Sequence, residues 1–402
     1  MKNTFKVIIV GGGASGLFCA LELLRSKNSI LGEEILILEK NDRVGKKIVA
    51  TGNGQGNLSN AIMGEEFYHG DKFFVQEFLS NLKDINIQGY LKDLGVYLTT
   101  EKDGKQYPLS KQANAFLDVI RGYLAYKGVV MNVGEQVDKL DKSGEIFNVF
   151  TSKGKYNAKK VVLAFGGKAG PQYGTDGSSY ALAQNLGHKV TELYPSLVQL
   201  KTDTQIIKGL RGLKERVRVT AYDGNVNLKE SVGEILFTEY GISGNAIFSI
   251  SGYLTSAKSP SVKIEFLPDF TLEQVEEILI KREYLNHIER EDKLIGLINK
   301  KIGQAIVRKC KTDSPREIAQ ALKNFSLKIT GNLGFNYAQV TKGGVETQLI
   351  ESSSMQSKKV KGLYIVGEAL NIDGDCGGYN LTFAFVSGIL SARNIKENLG
   401  GE

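Results

Sequence analysis

Apolar residues fill Phe5 to Val10 almost without a break, and a short run so rich in β-branched side chains predicts a strand buried on both faces. Ala14 to Leu24 then follows a helical period, and a second apolar run, Glu34 to Leu38, ends in Glu39. Asp71 to Lys127 is mostly helical in pattern, with Phe73, Phe74, Phe78 and Leu82 forming one core stripe and Phe116, Ile120 and Leu124 another. From Gly128 to Ala164 the period falls to two, which predicts strands near Val129–Asn132, Val137–Leu140, Ile146–Phe150 and Val161–Ala164. Pro195 to Gly334 reads as an insertion. Its first part, 195–268, alternates as strands at Leu197–Leu200, Val217–Tyr222, Val226–Leu228, Glu234–Thr238 and Val262–Phe266. Its second part, 269–334, is helical, with capping boxes at Thr271/Gln274 and Ser314/Glu317 and Pro315 in the first helical position. The first pattern then resumes over 335–402, with a buried strand at Gly362–Val366 and a helix at Leu381–Leu399. Residues 1–194 and 335–402 therefore make one expected domain around the insertion.

Composition narrows the class without naming it. A chain of 402 residues, 42% hydrophobic and 24% charged, suits two or three globular domains. No apolar run is long enough for a membrane span. Lys2 and Lys6 precede an apolar segment, but the glycines at 11–13 break it, so a signal peptide is not expected. The net charge of +7 permits an anionic substrate or nucleic acid and demands neither. Cys19, Cys310 and Cys376 form no CxxC pair, and His69, His188 and His287 are scattered; a reducing, cytoplasmic location and no metal site are expected.

The chemistry sits where strands meet glycines. Gly11, Gly13 and Gly16 have GxGxxG spacing between the first strand and helix: one for a tight turn, one for backbone approach to a pyrophosphate, one for helix–strand packing. The phosphates would meet the free N–H groups of that helix, and Glu39 would accept the hydroxyls of an adenosine ribose. Asn41 to Asn60 (NDRVGKKIVATGNGQGNLSN) is a glycine- and asparagine-rich loop suited to a phosphate, ribitol or flavin ring. The strand ending at Ala164 meets Gly166 and Gly167, and GGYN, Gly377 to Asn380, opens the last helix, whose N–H groups could stabilise charge on a flavin's N1–C2=O edge. Lys208, Arg211, Lys214, Arg216 and Arg218 form a basic cluster that reads as a solvated face or an anion site.

Four separated motifs, GKKIVATGNGQGNLSN, FTEYGISG, VTKGGVET and GLYIVGEALNIDGDCGGYNL, resemble the BaiN-like or aminoacetone-oxidase-like FAD-binding family nearly end to end. The resemblance implies an α/β fold: a glutathione-reductase-type Rossmann FAD domain interrupted by a flattened β-barrel and a small helical cap. It implies FAD contacts at Gly11, Gly13, Ala14, Ser15, Gly16, Glu39, Lys40, Lys47, Thr51, Gly52, Asn53, Asn57, Val137, Ala164, Gly166, Gly367, Glu368, Gly378, Asn380 and Leu381, with the Val137 backbone reading adenine. Where the family has GNGRCN, this chain has Gln55 and Gly56 for the arginine and cysteine. No cysteine pair lies in that loop, so the expected chemistry is direct hydride transfer between flavin N5 and a small or mid-sized organic substrate at the barrel–FAD-domain interface. Tyr240, Lys342 and Tyr379 are the candidate proton donors, and NADH or NADPH a candidate transient electron donor. The family spans amino-ketone oxidation and enone reduction, and the direction and oligomeric state stay open. An FAD-dependent RNA-modifying protein and a flavin-bound sensor without turnover are the alternatives.

Overall fold

A computed structural model describes residues 3–25, 29–283 and 288–400; Lys2 and His287 lie outside the described residues. The chain divides into two compact units, Met1–Tyr194 with Val340–Glu402, and Pro195–Gln339.

In the first unit Thr4–Val10 lies at the centre of a sheet, parallel to Ile35–Glu39 on one side and to the far end of Gly154–Leu163 on the other. Val130–Val133 extends the sheet beyond Ile35–Glu39, and Leu363–Ile365 lies parallel to Val161–Leu163. The strand Gly154–Leu163 has two partners because it is long. Its first half closes an antiparallel meander with Ile146–Thr151 and Val137–Ser143, and its second half enters the parallel sheet. Val7, Ile8, Ile9, Ile35, Leu36 and Ile37 are fully buried, as expected for strands covered on both faces.

The helices Ala14–Leu23 and Tyr379–Gly400 pack closely on each other. A Cβ at Gly388 would lie 2.3 Å from the Ser15 carbonyl oxygen, so glycine there permits the contact. Phe18 stacks on Phe385 at 3.9 Å beneath the same contact.

The second unit is a closed antiparallel barrel of six described strands: Leu200–Thr202, Gly241–Ser243, Val226–Phe237, Lys214–Asp223, Pro260–Phe266 and Phe325–Asn332. Phe237, Val217, Val219, Ile264 and Phe266 are among its fully buried side chains. Helices Leu272–Glu283, Lys300–Val307 and Pro315–Lys323 precede the last strand.

Several expectations change. Val226–Phe237 is one strand rather than two, because it pairs continuously with Lys214–Asp223 around a bulge. The barrel is closed by Phe325–Asn332, from inside the stretch read as helical. A hairpin, Leu98–Thr100 with Lys105–Pro108, interrupts the helical stretch 71–127. Phe73 is 82% exposed, whereas Phe74 and Phe78 are buried. The Thr271/Gln274 capping box forms, with Thr271 N–H on Gln274 Oε1 (2.8 Å) and Gln274 N–H on Thr271 Oγ1 (3.2 Å). The second box does not. Ser314 makes no side-chain cap, and Glu317 turns instead to accept from the N–H groups of Lys311 and Thr312.

No helix among the described residues is long and apolar enough to cross a membrane.

Candidate functional site

The three motif glycines differ in what holds them. Gly11 has φ +105°, and a Cβ there would lie 2.4 Å from the Ala164 carbonyl oxygen. A Cβ at Gly16 would lie 2.1 Å from Gly11 O. Both are fixed by the fold. Gly13 has extended backbone (φ −83°, ψ −167°), and a Cβ there would meet nothing within 4 Å. It is the N-cap of Ala14–Leu23, with no side-chain cap, so the first N–H groups of that helix, from Ala14 to Gly16, lack intrahelical partners. An open cradle at a helix N-terminus suits a phosphate.

Glu39 ends its strand 8% exposed. Its Oε2 accepts from Gly12 N–H (2.9 Å), and its Oε1 accepts from the Asn41 N–H (2.8 Å) and side-chain amide (2.7 Å). Three of roughly four lone-pair positions are thus used by the chain. Room remains for one ligand hydroxyl, not the two expected from sequence. Behind it, Glu135 N–H donates to Glu39 O (2.9 Å), which brings the start of the meander and Val137, 7% exposed, to the end of the same strand.

The Asn41–Asn60 loop is more ordered than its composition suggests. A 3₁₀ segment, Ile48–Gly54, is bent by left-handed Gly52 (φ 56°) and Asn53 (φ 54°), and Thr51 Oγ1 donates to Ile48 O (2.7 Å). Gln55 is exposed, and Gly56 is buried with φ +79°, 3.2 Å in Cβ distance from Ala113. The amide of Asn57, oriented with nitrogen toward Ser59 O (3.1 Å), receives the Gly378 N–H on its oxygen (3.2 Å).

Lys47 Nζ pairs with Glu368 Oε2 at 2.7 Å; Glu368 Oε1 accepts from Thr341 N–H (2.9 Å), and Thr341 Oγ1 accepts from Lys168 and Ala169 N–H (2.7 and 2.9 Å). This bond network ties the loop to the Gly166–Gly167 turn, where Gly166 has φ +78°. Gly367 donates its N–H to Ser387 Oγ and backs on Ser15, whose Oγ a Cβ would approach to 2.7 Å. Lys40 pairs instead with Asp176 at 3.0 Å. At the last helix Asn380 spends both ends of its amide on Gly374, accepting its N–H (2.8 Å) and donating to its C=O (2.7 Å); Leu381 is half-buried.

The three candidate donors differ in their local settings. Tyr379 is 5% exposed, stacked on Phe67 at 4.6 Å, and burial pushes its hydroxyl up to about 12, with the charge of Asp375 adding to the shift. It is a packed, neutral side chain. Lys342 ends the strand Val340–Lys342. Tyr240 belongs to the barrel unit, where its carbonyl accepts from Thr202 N–H (3.2 Å). Cys376 is half-buried, and burial raises its thiol; Cys19 is buried and raised to about 12, first by burial. Neither supplies a thiolate at neutral pH.

Sequence reasoning missed a cluster beside this site. Tyr68–Gly70 pairs antiparallel with Ile372–Gly374, placing His69 opposite Asp373, and His69 Nε2 lies 2.7 Å from Asp375 Oδ1. Asp373 is 4% exposed. Burial pushes its carboxyl up to about 6, against the attraction of His69 and Lys342 and with the repulsion of Asp375 and Glu368. The only sequence signal was Asp373 and Asp375 at strand spacing. Because the folded carboxyl binds its proton more tightly than an unfolded one, stability falls as pH rises from about 4 to about 6 and stays lower above. The expected result is that Asp373→Asn removes this fall and stabilises the protein above pH ~6, by up to about 3 kcal/mol, in urea titrations across pH. Equal pH profiles for the two proteins would refute it.

On the barrel, four of the five cations of the basic cluster are paired with acids. Arg211 pairs with Glu239 (2.9 Å), Lys214 with Glu234 (2.9 Å), Arg218 with Glu230 (3.1 Å), and Arg216 with Asp269. Among the described residues no group of three or more His, Cys, Asp or Glu could hold a metal ion.

Comparison with known proteins shows the family and the fold. The family model described as HI0933-like protein Rossmann domain matches residues 5–394. A 3-dehydro-bile acid delta(4,6)-reductase of Clostridium scindens is 33% identical over 414 residues, covering 98% of this chain and 99% of that protein. A ribosomal RNA dihydrouridine synthase of Haemophilus influenzae is 27% identical over 414 residues, covering 98% and 100%. Among solved structures, a 3-ketosteroid-delta4-(5alpha)-dehydrogenase from Rhodococcus jostii RHA1 superposes with TM-score 0.51 at 15% identity, covering 98% of this chain and 97% of that one, a likeness of fold.

Proposed function

We propose, from the premise that this chain belongs to the HI0933-like Rossmann family of FAD-binding oxidoreductases, that it reduces a carbon–carbon double bond conjugated to a carbonyl in a small organic substrate. The observation that carries the FAD part is the Gly13 cradle, open at a helix N-terminus between two glycines that the fold itself requires. The residues present fit the cofactor. Gly13 to Gly16 would take the pyrophosphate, Glu39 one ribose hydroxyl, and the Val137 backbone the adenine. Lys47, Thr51, Asn57, Glu368 and the head of the last helix would hold the ribitol and ring. When bound, FAD supplies two-electron hydride chemistry. The chain supplies orientation, through the Lys47–Glu368–Thr341 network, and partial positive charge at the N-terminus of Tyr379–Gly400.

The reductive direction is supported by the names of two full-length relatives, a reductase and a dihydrouridine synthase. The small-molecule reading is favoured over RNA because four of the five cations of the basic cluster, all but Lys208, are paired with acids and so offer little free positive charge to a phosphate backbone. NADH or NADPH is the proposed electron donor.

The test is anaerobic stopped-flow absorbance of the purified protein. The expected result is a yellow protein whose flavin bleaches with NADH or NADPH and recovers its colour on adding a steroid enone. Recovery with an RNA transcript but no enone would replace the substrate reading. Bleaching by amines alone would reverse the direction, and a protein that retains no flavin would end the proposal.

A further inference from the structure

We infer that Asp373 is the group that carries the catalytic proton in this site and that His69 links it to solvent. The inference rests on the FAD reading above. Directly opposed residues of an antiparallel pair project to the same face, with Cβ atoms about 4.5–5.5 Å apart. His69 and Asp373 are such a pair, and Asp375, two residues further on, returns to that face to hold the His69 ring at 2.7 Å. The imidazole therefore lies against two carboxylates. Its side chain is 24% exposed, whereas Asp373 is 4% exposed, so the histidine is the outer member and the aspartate the inner one.

The inner carboxylate is unusual. Burial is the largest influence on it and raises its affinity for a proton. Four charged or titratable groups face it: His69 and Lys342, which favour its charge, and Asp375 and Glu368, which oppose it. Glu368 is itself committed to Lys47 and to Thr341 N–H. The next residue, Gly374, is clamped by Asn380 at the head of the last helix. The carboxyl is thus buried, next in sequence to the clamped Gly374 and within the field of Glu368, and able to keep a proton up to about pH 6.

Saturating an activated double bond needs a hydride and a proton. The electron pair comes from the reduced nicotinamide donor. After hydride addition the substrate carbon beside the carbonyl holds an electron pair; there a C–H bond forms as the Asp373 O–H bond breaks, and the carboxylate regains its proton from water through the His69 imidazole. Tyr379 and Cys376, whose protons burial holds more tightly than usual, are weaker acids than Asp373.

The experiment uses the FAD-loaded protein and its Asp373→Asn and His69→Gln variants. Proton uptake on dithionite reduction is followed with an indicator dye at about pH 7, where an acid with a raised affinity gains protons as negative charge builds beside it. The expected result is that wild type takes up more protons per FAD than Asp373→Asn. His69→Gln is expected to reach the wild-type number, but about 100-fold more slowly. Equal uptake in wild type and Asp373→Asn would overturn the role of Asp373, and an unchanged rate in His69→Gln would overturn the link to solvent. Cofactor content, read from the absorbance of released FAD, separates these failures from failure of the FAD reading, in which no flavin is bound.

Discussion

A Gly13→Val protein is expected to stay close to the thermal stability of the parent and to bind FAD roughly 10–100-fold more weakly. The substitution adds its side chain to a position with ordinary extended backbone and no heavy atom of the chain within 4 Å of the new Cβ. Replacing a glycine N-cap by an uncapped residue costs the helix only about 0.5–1 kcal/mol. The cost in binding is larger, because the branches would fill the space in front of the free N–H groups. Overpacking of about 1–3 kcal/mol corresponds to a loss of roughly 10–100-fold in affinity. Gly16→Val is the contrasting variant. Its Cβ would lie 2.1 Å from Gly11 O, so helix and strand must part and the melting temperature falls as well. Calorimetry and equilibrium dialysis with FAD check both. A Gly13→Val protein that binds FAD like the parent would mean the cradle holds no pyrophosphate.

That contrast also shows how far the sequence carries the argument. The first strand, the glycine spacing and Glu39 are local features, each decided by residues within one βαβ unit, and they fold as their pattern implies. What the pattern could not supply is competition for the same atoms. Glu39 is spent largely on Gly12 and Asn41, which no spacing rule announces. Phe73 and Phe74 both read as core, yet the buried face of this helix is Phe74, Val75 and Phe78, and Phe73 lies at its edge. The structure buries Phe74 and leaves Phe73 in solvent. Barrel closure by Phe325–Asn332 depends on pairing with the distant Leu200–Thr202, and the short alternating run was hidden behind three helices. His69 and Asp375 are 306 residues apart, and only the pairing of two three-residue strands joins them. Non-local polar contacts of this kind leave no periodicity to read.

The largest loss of stability is expected from Lys396→Met, in a contact of the same non-local kind. Lys396 lies in the last helix with its ammonium buried, the side chain 7% exposed, against Glu22 of the first helix, 8% exposed. It donates to Glu22 Oε1 (2.9 Å), Glu22 O (2.8 Å) and Arg25 O (3.0 Å), so one cation satisfies both a buried carboxylate and the carbonyls at the end of Ala14–Leu23. Removing it strands the Glu22 charge in a low-dielectric contact; Arg393, at 3.7 Å and on the exposed side, offers only weak compensation. Breaking a buried pair by deleting one partner typically costs about 3–5 kcal/mol, whereas replacing both by apolar groups is often neutral. The expected order of stability is therefore wild type close to Glu22→Leu/Lys396→Met, and both well above Lys396→Met. On a unit of this size the single variant should melt roughly 10 °C lower. Cofactor binding follows the same order, since the contact fixes the first helix against the last and so fixes the two N-termini proposed to meet the pyrophosphate and the flavin. A Lys396→Met protein that melts with the parent would show that the two helices are held by apolar packing around Phe18 and Phe385 alone, with the ion pair adding nothing.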